Sequence, residues 1–182
     1  MSLVGVTDSM TPGERATVAQ ELWERYDTRS ITRTELRREV IRAWVSCDTP
    51  HLHLTNSQWR AMFRAAGYTS NGEAATPPSE PVLLYRAAPP TRQGNWSWSP
   101  NLAVAQYFQR TGAPGPVDPT PMASSVLWTC VVPPDRLLAR IKQDFRIGGG
   151  LTASRAVTIL YGFPPVDEYV ADVDGLDIQR YG

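Results

Sequence analysis

The sequence predicts an α+β fold. Three helical patterns come first, between residues 11 and 68. Short runs rich in β-branched and aromatic residues, broken by Pro and Gly, follow from residue 80, and one further helical pattern, 100–108, is inserted among them. Helices that precede the strands, rather than alternating with them, argue against a parallel βαβ architecture.

Residues 1–10 read as a flexible lead-in. From Pro12-Gly13-Glu14, the recurrence of Val18, Leu22 and Tyr26 at every fourth position, with Trp23 alongside, predicts a first helix to about Tyr26. Thr32-Arg33-Thr34-Glu35 has the form of a capping box, and Leu36, Val40, Ile41, Trp44 and Val45 trace the apolar face of a second helix ending near Cys47. Thr55-Asn56-Ser57-Gln58 repeats the capping pattern. Trp59, Met62, Phe63 and Ala66 then give a third helix, stopped by Gly67.

The segment 70–81, rich in Gly, Pro, Ser and Thr, reads as a loop. Val82 to Tyr85 reads as a buried strand with Arg86 at its end, and Ser97-Trp98-Ser99 as a second short strand. A helix follows, for which Ser99 is the expected N-cap and Pro100 the first helical residue. Its packing face is either Leu102, Ala105 and Phe108 or Ala103 and Tyr107. A surface loop is expected over 111–122, a strand over Ser125 to Val132 and another over Leu137 to Ile141. Glu168 to Val173 and Leu176 to Arg180 read as a hairpin about Asp174-Gly175.

At 182 residues the chain is expected to form a single domain, 1–182, made of a helical part, 11–68, and a core, 80–182. A hydrophobic fraction of 42% and a charged fraction of 20% are those of a globular protein. The formal net charge is zero, so no global field draws the chain to nucleic acid or an anionic membrane. No apolar stretch is long enough to span a bilayer and none resembles a leader, so cytoplasmic residence is expected. Cys47 and Cys130 read as reduced and buried, and no metal is expected: His51-Leu52-His53 lacks the further ligands of a metal set. Gly148-Gly149-Gly150 lacks the strand and spacing of a nucleotide fingerprint and suits a hinge.

The residues that suggest chemistry surround the first two strands. Arg86 offers a planar fork of donors for a phosphate or carboxylate, or else pairs with an acidic neighbour. At strand period Ser97 and Ser99 share one face and Trp98 takes the other, which puts the indole in the core and the hydroxyls toward ligand or solvent. The arginines at 33, 37, 38, 42, 60 and 64 form either a basic docking face or the solvated side of the helices, balanced by Glu35 and Glu39.

Tyr85-Arg86, then Ser97-Trp98-Ser99 with Asn101, Ala105 and Phe108 following, then Glu168 in Asp167-Glu168-Tyr169-Val170, resembles the ordered motifs of ADP-ribosyltransferases of the Arg-Ser-Glu, cholera-toxin-like class, in particular small bacterial or phage members. The likeness spans roughly 80–182. It implies N-terminal helices packed on a split antiparallel β-sandwich of the ADP-ribosyltransferase type, NAD as substrate and mono-ADP-ribosylation of a macromolecule, with a protein acceptor preferred to nucleic acid. By the same resemblance Glu168, Ser97 and Arg86 are catalytic, and Arg86, Ala87, Ser97, Trp98, Ser99, Tyr107 and Phe108 line the NAD site. An aromatic among Tyr107, Phe108, Phe145 and Tyr161 flanks nicotinamide, and the segment from Phe145 to Phe163 helps choose the target.

Three residues depart from that pattern. Val166 stands where arginine-modifying members carry glutamate, which argues against arginine as acceptor. Ala87 replaces a glycine, and Ser99 a threonine. The alternatives to a transferase are an NAD glycohydrolase and an inactive ADP-ribosyltransferase-like protein that docks a partner through its arginines. Sugar hydrolysis would pair Glu168 with Asp167 or Asp172.

Overall fold

Local signals fix the three helices that open the chain. In the computed structural model, which describes residues 12–47, 50–111, 125–142 and 167–182, they are α1 (Pro12–Asp27), α2 (Arg33–Ser46) and α3 (Asn56–Ala66). The lead-in, the loop beyond Thr111 and the segment 143–166, with its three glycines, Phe145, Tyr161 and Val166, lie outside those residues.

Thr32 caps α2 and Thr55 caps α3, each in a closed capping box. The threonine side chain accepts from the backbone N–H three residues on, and the carboxylate of Glu35 or amide of Gln58 accepts the threonine N–H at 2.9 Å. Thr32→Ala or Thr55→Ala is expected to cost about 1 kcal/mol each, read as a lowered urea midpoint at unchanged slope.

Gly67 ends α3 at φ +79°, a conformation that disfavours a side chain, and a Cβ there would lie 2.7 Å from the Arg33 guanidinium. Arg33 and Arg37 both donate through Nε to the Ala66 carbonyl, at 3.3 and 3.0 Å, where the helix presents its negative end. Leu36, Val40, Ile41 and Trp44 of α2 are buried with Trp59, Met62 and Phe63 of α3. Burial of each large apolar side chain is worth roughly 1.5–3 kcal/mol, which is what holds these short helices in place.

Two sheets follow. The larger has strand order β2-β1-β6-β7-β4, formed by β1 (Thr69–Ser70), β2 (Glu73–Ala74), β4 (Ser97–Trp98), β6 (Leu137–Lys142) and β7 (Asp167–Ala171). The smaller has order β3-β5-β8, formed by β3 (Val82–Ala88), β5 (Val126–Val132) and β8 (Gln179–Arg180). Neighbouring strands run antiparallel except β1 and β6, which are parallel. Helix α3 packs near β6, and α4 (Leu102–Thr111) covers β3 and β5. One cluster of buried side chains joins Ala19 and Leu22 of α1 to Val170 and Val173 at the far end of the chain. The fold is α+β.

Several expectations need correction. The stretch read as a loop from residue 70 begins with a tight hairpin: Asn71 at φ +52° and Gly72 at φ +81° join β1 to β2. The turn at Asp174-Gly175 exists, with Gly175 at φ +78° and Leu176 N–H bonded to the Val173 carbonyl at 3.0 Å, but it closes no hairpin. Strand β7 already has β6 on one edge and β4 on the other, so the chain leaving it crosses to pair with β5 in the second sheet.

Ser99 is not the cap of α4, and Pro100 precedes the helix. Asn101 takes the capping position, its Oδ1 accepting the Ala103 N–H at 3.0 Å. The buried side chains of α4 are Val104 and Ala105, whereas Ala103 is exposed.

Candidate functional site

The two sheets meet at a single β-bridge, where Tyr85 and Ser99 exchange backbone hydrogen bonds of 2.7 and 2.9 Å. Beyond it β3 and β4 part, and Arg86 fills the opening. Its Nη1 donates to the Ser97 carbonyl at 2.5 Å and its Nε to the Arg92 carbonyl at 3.4 Å. The guanidinium thus spans strands that no longer share a ladder, and it has donors to spare.

Glu168 reaches the same place from β7. Ser97 lies opposite Val170 in the β4–β7 ladder, so alternation puts Glu168, two residues before Val170, on the same sheet face as Ser97 and diagonal to it. Ser97 and, from α2, Trp44 both favour the ionised form of the Glu168 carboxyl. Trp98 and Tyr169 point to the opposite face, where Arg140 pairs bidentately with Asp167 and lies over the Tyr169 ring at 5.1 Å.

Both charges at the site are held against their hydration. Burial pulls the Arg86 guanidinium down to about 10, opposed by the charge of Glu168 and assisted by that of Arg92; it remains protonated at neutral pH. Burial raises the Glu168 carboxyl above its ordinary value, although Ser97, Trp44 and the charge of Arg86 act to lower it. Yet Arg86, Ser97 and Glu168 are only half-buried by accessible surface. All three thus keep surface that a ligand can reach.

The other candidates divide. Ala87 is half-buried beside Arg86 on β3. Trp98 is 1% exposed and gives its N–H to the Asn95 carbonyl at 2.7 Å, so its part is to hold β4. Ser99 is buried, donates to the Asp167 carbonyl at 3.0 Å and accepts from Asn101 N–H at 3.1 Å, which commits its hydroxyl to structure. Tyr107 and Phe108 stand edge to face at 6.0 Å on α4, the helix that covers β3.

Three contributors escaped the sequence reading. Trp44 was read only as an apolar face residue, although a buried indole N–H needs an acceptor and was the available signal. Arg92 gives Arg86 its carbonyl. His51, on the 3-10 turn Pro50–Leu52, is held below its ordinary value by burial and by the charges of Arg92 and Arg86, so it is neutral at pH 7. Among the described residues no group of three His, Cys, Asp or Glu side chains gathers as a metal site would require, and no helix is long and apolar enough to cross a membrane.

The arginines of α2 and α3 have partners within the protein. Arg33 and Arg37 close α3, Arg38 pairs with Glu73 and Arg42 with Glu39. Arg60 grips Asp172 through Nε at 2.6 Å and Nη2 at 2.8 Å and also pairs with Asp174, while Arg64 lies 3.9 Å from Asp172. Glu35, expected to balance them on the surface, serves instead in the capping box. Asp167 and Asp172, the carboxylates considered as partners of Glu168, are both committed to arginines.

Comparison with protein-family models, with curated proteins and with solved structures finds no match to this chain.

Proposed function

We propose that this protein is an NAD-dependent mono-ADP-ribosyltransferase whose chemistry rests on Glu168, Ser97 and Arg86. One observation carries the reading: Arg86 of β3 is bonded to the Ser97 carbonyl of β4, and Ser97 shares a sheet face with Glu168 of β7, diagonal to it across the ladder. Their order along the chain is that of the resemblance, and the surface they keep leaves room for a ligand.

Breaking the bond between ribose C1′ and the nicotinamide nitrogen leaves positive charge on the sugar as neutral nicotinamide departs. A carboxylate beside that sugar gains most in the transition state. Glu168 supplies it, oriented by Ser97. Arg86, anchored by two backbone carbonyls, turns its remaining donors to the diphosphate. A nucleophile of the acceptor then forms the new bond at C1′ and gives up its proton, to Glu168 or to solvent. Water in that role makes the reaction a hydrolysis.

Incubation with NAD labelled in the adenylate half, alone and with cell lysate, tests this directly. Nicotinamide release together with label on a macromolecule is the expected result. Release with only free ADP-ribose would identify a glycohydrolase, and no release under either condition would overturn the enzymatic function.

A further inference from the structure

The ladder that sets Ser97 beside Glu168 is two residues long on the β4 side, with Ser97 opposite Val170 and Trp98 opposite Tyr169. A slip of one residue would turn Ser97 to the sheet face away from Glu168 and bring Trp98 round in its place. We propose that Trp96, the residue before Ser97, is the positioning residue that fixes this register, through the bond from its indole N–H to Asp174. For its kinetic consequences this inference rests on the function proposed above.

The short ladder is tied at both ends. At one end the Trp96 carbonyl accepts the Ala171 N–H at 2.8 Å, and Trp96 Nε1 donates to Asp174 Oδ1 at 3.2 Å. Main chain and side chain of one residue thus hold the end of β7 and the turn that follows it. At the other end Ser99 Oγ donates to the Asp167 carbonyl at 3.0 Å. A slipped β4 would still make ladder bonds, but with its side chains reversed it would lose both of these side-chain bonds.

Both partners of the lock are held from elsewhere. Trp96 is 2% exposed, stacked on Trp44 of α2 at 6.4 Å with planes 22° apart, and faced by the Arg60 guanidinium at 5.2 Å. Asp174 Oδ2 accepts from Arg60 Nη2 at 2.5 Å and its Oδ1 from Asn56 Nδ2 at 3.3 Å, both donors lying on α3. Tryptophan carries a single side-chain donor, and burial this deep makes an acceptor for it a requirement. The helical part of the chain therefore bears on Ser97 through the residue beside it. A hydroxyl set in place by packing before NAD arrives needs little reorganisation as charge develops on the ribose, the condition for electrostatic catalysis.

Trp96→Phe tests the lock, because phenylalanine keeps a ring for Trp44 and Arg60 and removes the donor. Hydrogen exchange of the Ala171 amide, which bonds the Trp96 carbonyl, is expected to quicken about tenfold, the scale of one lost hydrogen bond, while the amides of α2 exchange as in the wild type. With NAD, kcat is expected to fall about tenfold while KM holds. Asp174→Ala removes the acceptor from a side chain that is 41% exposed and is expected to repeat both effects; if Trp96→Phe fails to fold, it decides alone. Thr32→Ala, which weakens α2 at its cap, is expected to change neither kcat nor the Ala171 amide. An Ala171 amide that exchanges at the wild-type rate in the variants would overturn the proposal, and so would a kcat that holds in them. Exchange quickened equally across α2, or a kcat that falls as far in Thr32→Ala, would mark general loosening and overturn it too. A local change at Ala171 in a protein that releases no nicotinamide would support the lock and overturn the enzymatic function alone.

Discussion

Replacing Glu168 by glutamine is expected to slow nicotinamide release by about two to three orders of magnitude, the scale of losing one preorganised electrostatic group, with NAD affinity little changed. Glutamine keeps the size and one acceptor of the side chain, so a donor beside it still has an oxygen to meet. What disappears is the negative charge, which matters only as the ribose becomes positive. Steady-state kinetics of released nicotinamide, with NAD affinity taken from tryptophan fluorescence, separate the two effects.

The pH dependence follows from the same side chain. The proposed chemistry requires ionised Glu168, and burial raises its midpoint, so the acidic limb of the rate profile is expected above the ordinary value of 4.5, with the rate rising as pH rises through it. For stability the sign is reversed. A carboxyl whose folded midpoint is raised contributes stability that is fully present below 4.5 and is lost as pH climbs through the folded midpoint. The site thus works against the fold at neutral pH, a common feature of functional carboxylates.

The second large effect is structural. Asp172→Asn is expected to lower the unfolding free energy by about 3 kcal/mol, because it leaves cationic groups that were arranged around a buried carboxylate. Asp172 has no exposed side-chain surface, whereas Arg60 is 24% exposed and Arg136, 3.3 Å away, is 32% exposed. Partial hydration of the arginines keeps the loss at the low end of what a broken buried pair costs. Urea unfolding of the two proteins gives the difference.

Burial by itself would raise the Asp172 carboxyl, but the Arg60 hydrogen bonds and the charges of Arg60 and Arg136 outweigh it and hold the midpoint below 3.8. Its contribution is therefore fully present above 3.8 and is lost as pH falls through the folded midpoint. Acid removes the Asp172 contribution and restores that of Glu168, so the difference in stability between wild type and Asp172→Asn is expected to shrink at low pH.

The helices were legible because their information is local. A capping box needs only four residues, and those at Thr32 and Thr55 form as their sequences specify. Strand existence was legible for β3, β5 and β6, whose apolar runs are bounded by proline or by polar turns. Pairing was not. Asp174-Gly175 makes the turn its residues favour, yet which strand receives the outgoing chain depends on β7 having both edges filled by segments distant in sequence. The hairpin at Asn71-Gly72 carried a strong local signal that the surrounding Gly, Pro and Ser obscured. At Ser99 two polar residues competed for one cap, and the Asp167 carbonyl drew the serine away.

The candidate site shows the same division. The order of Arg86, Ser97 and Glu168 is a property of the chain, whereas the parting of β3 from β4 beyond the Tyr85–Ser99 bridge is a property of the sheets. Trp44 was hidden for a different reason. An apolar periodicity assigns a tryptophan to the core and ignores its one polar atom, although Trp44 favours the charged form of Glu168. The arginines of α2 and α3 divide: Arg42 pairs with Glu39 on its own helix and Arg38 and Arg64 stay largely exposed, as periodicity suggests, whereas Arg33, Arg37 and Arg60 find partners elsewhere in the fold.

The most direct measurement is a crystal structure of Glu168→Gln with saturating NAD, since this variant should retain the dinucleotide and turn it over slowly. The expected result places the diphosphate against Arg86 and the nicotinamide ribose between Ser97 and residue 168. No NAD beside these residues at saturation, or NAD bound on another surface, would contradict the assignment of these three side chains to one NAD-cleaving site.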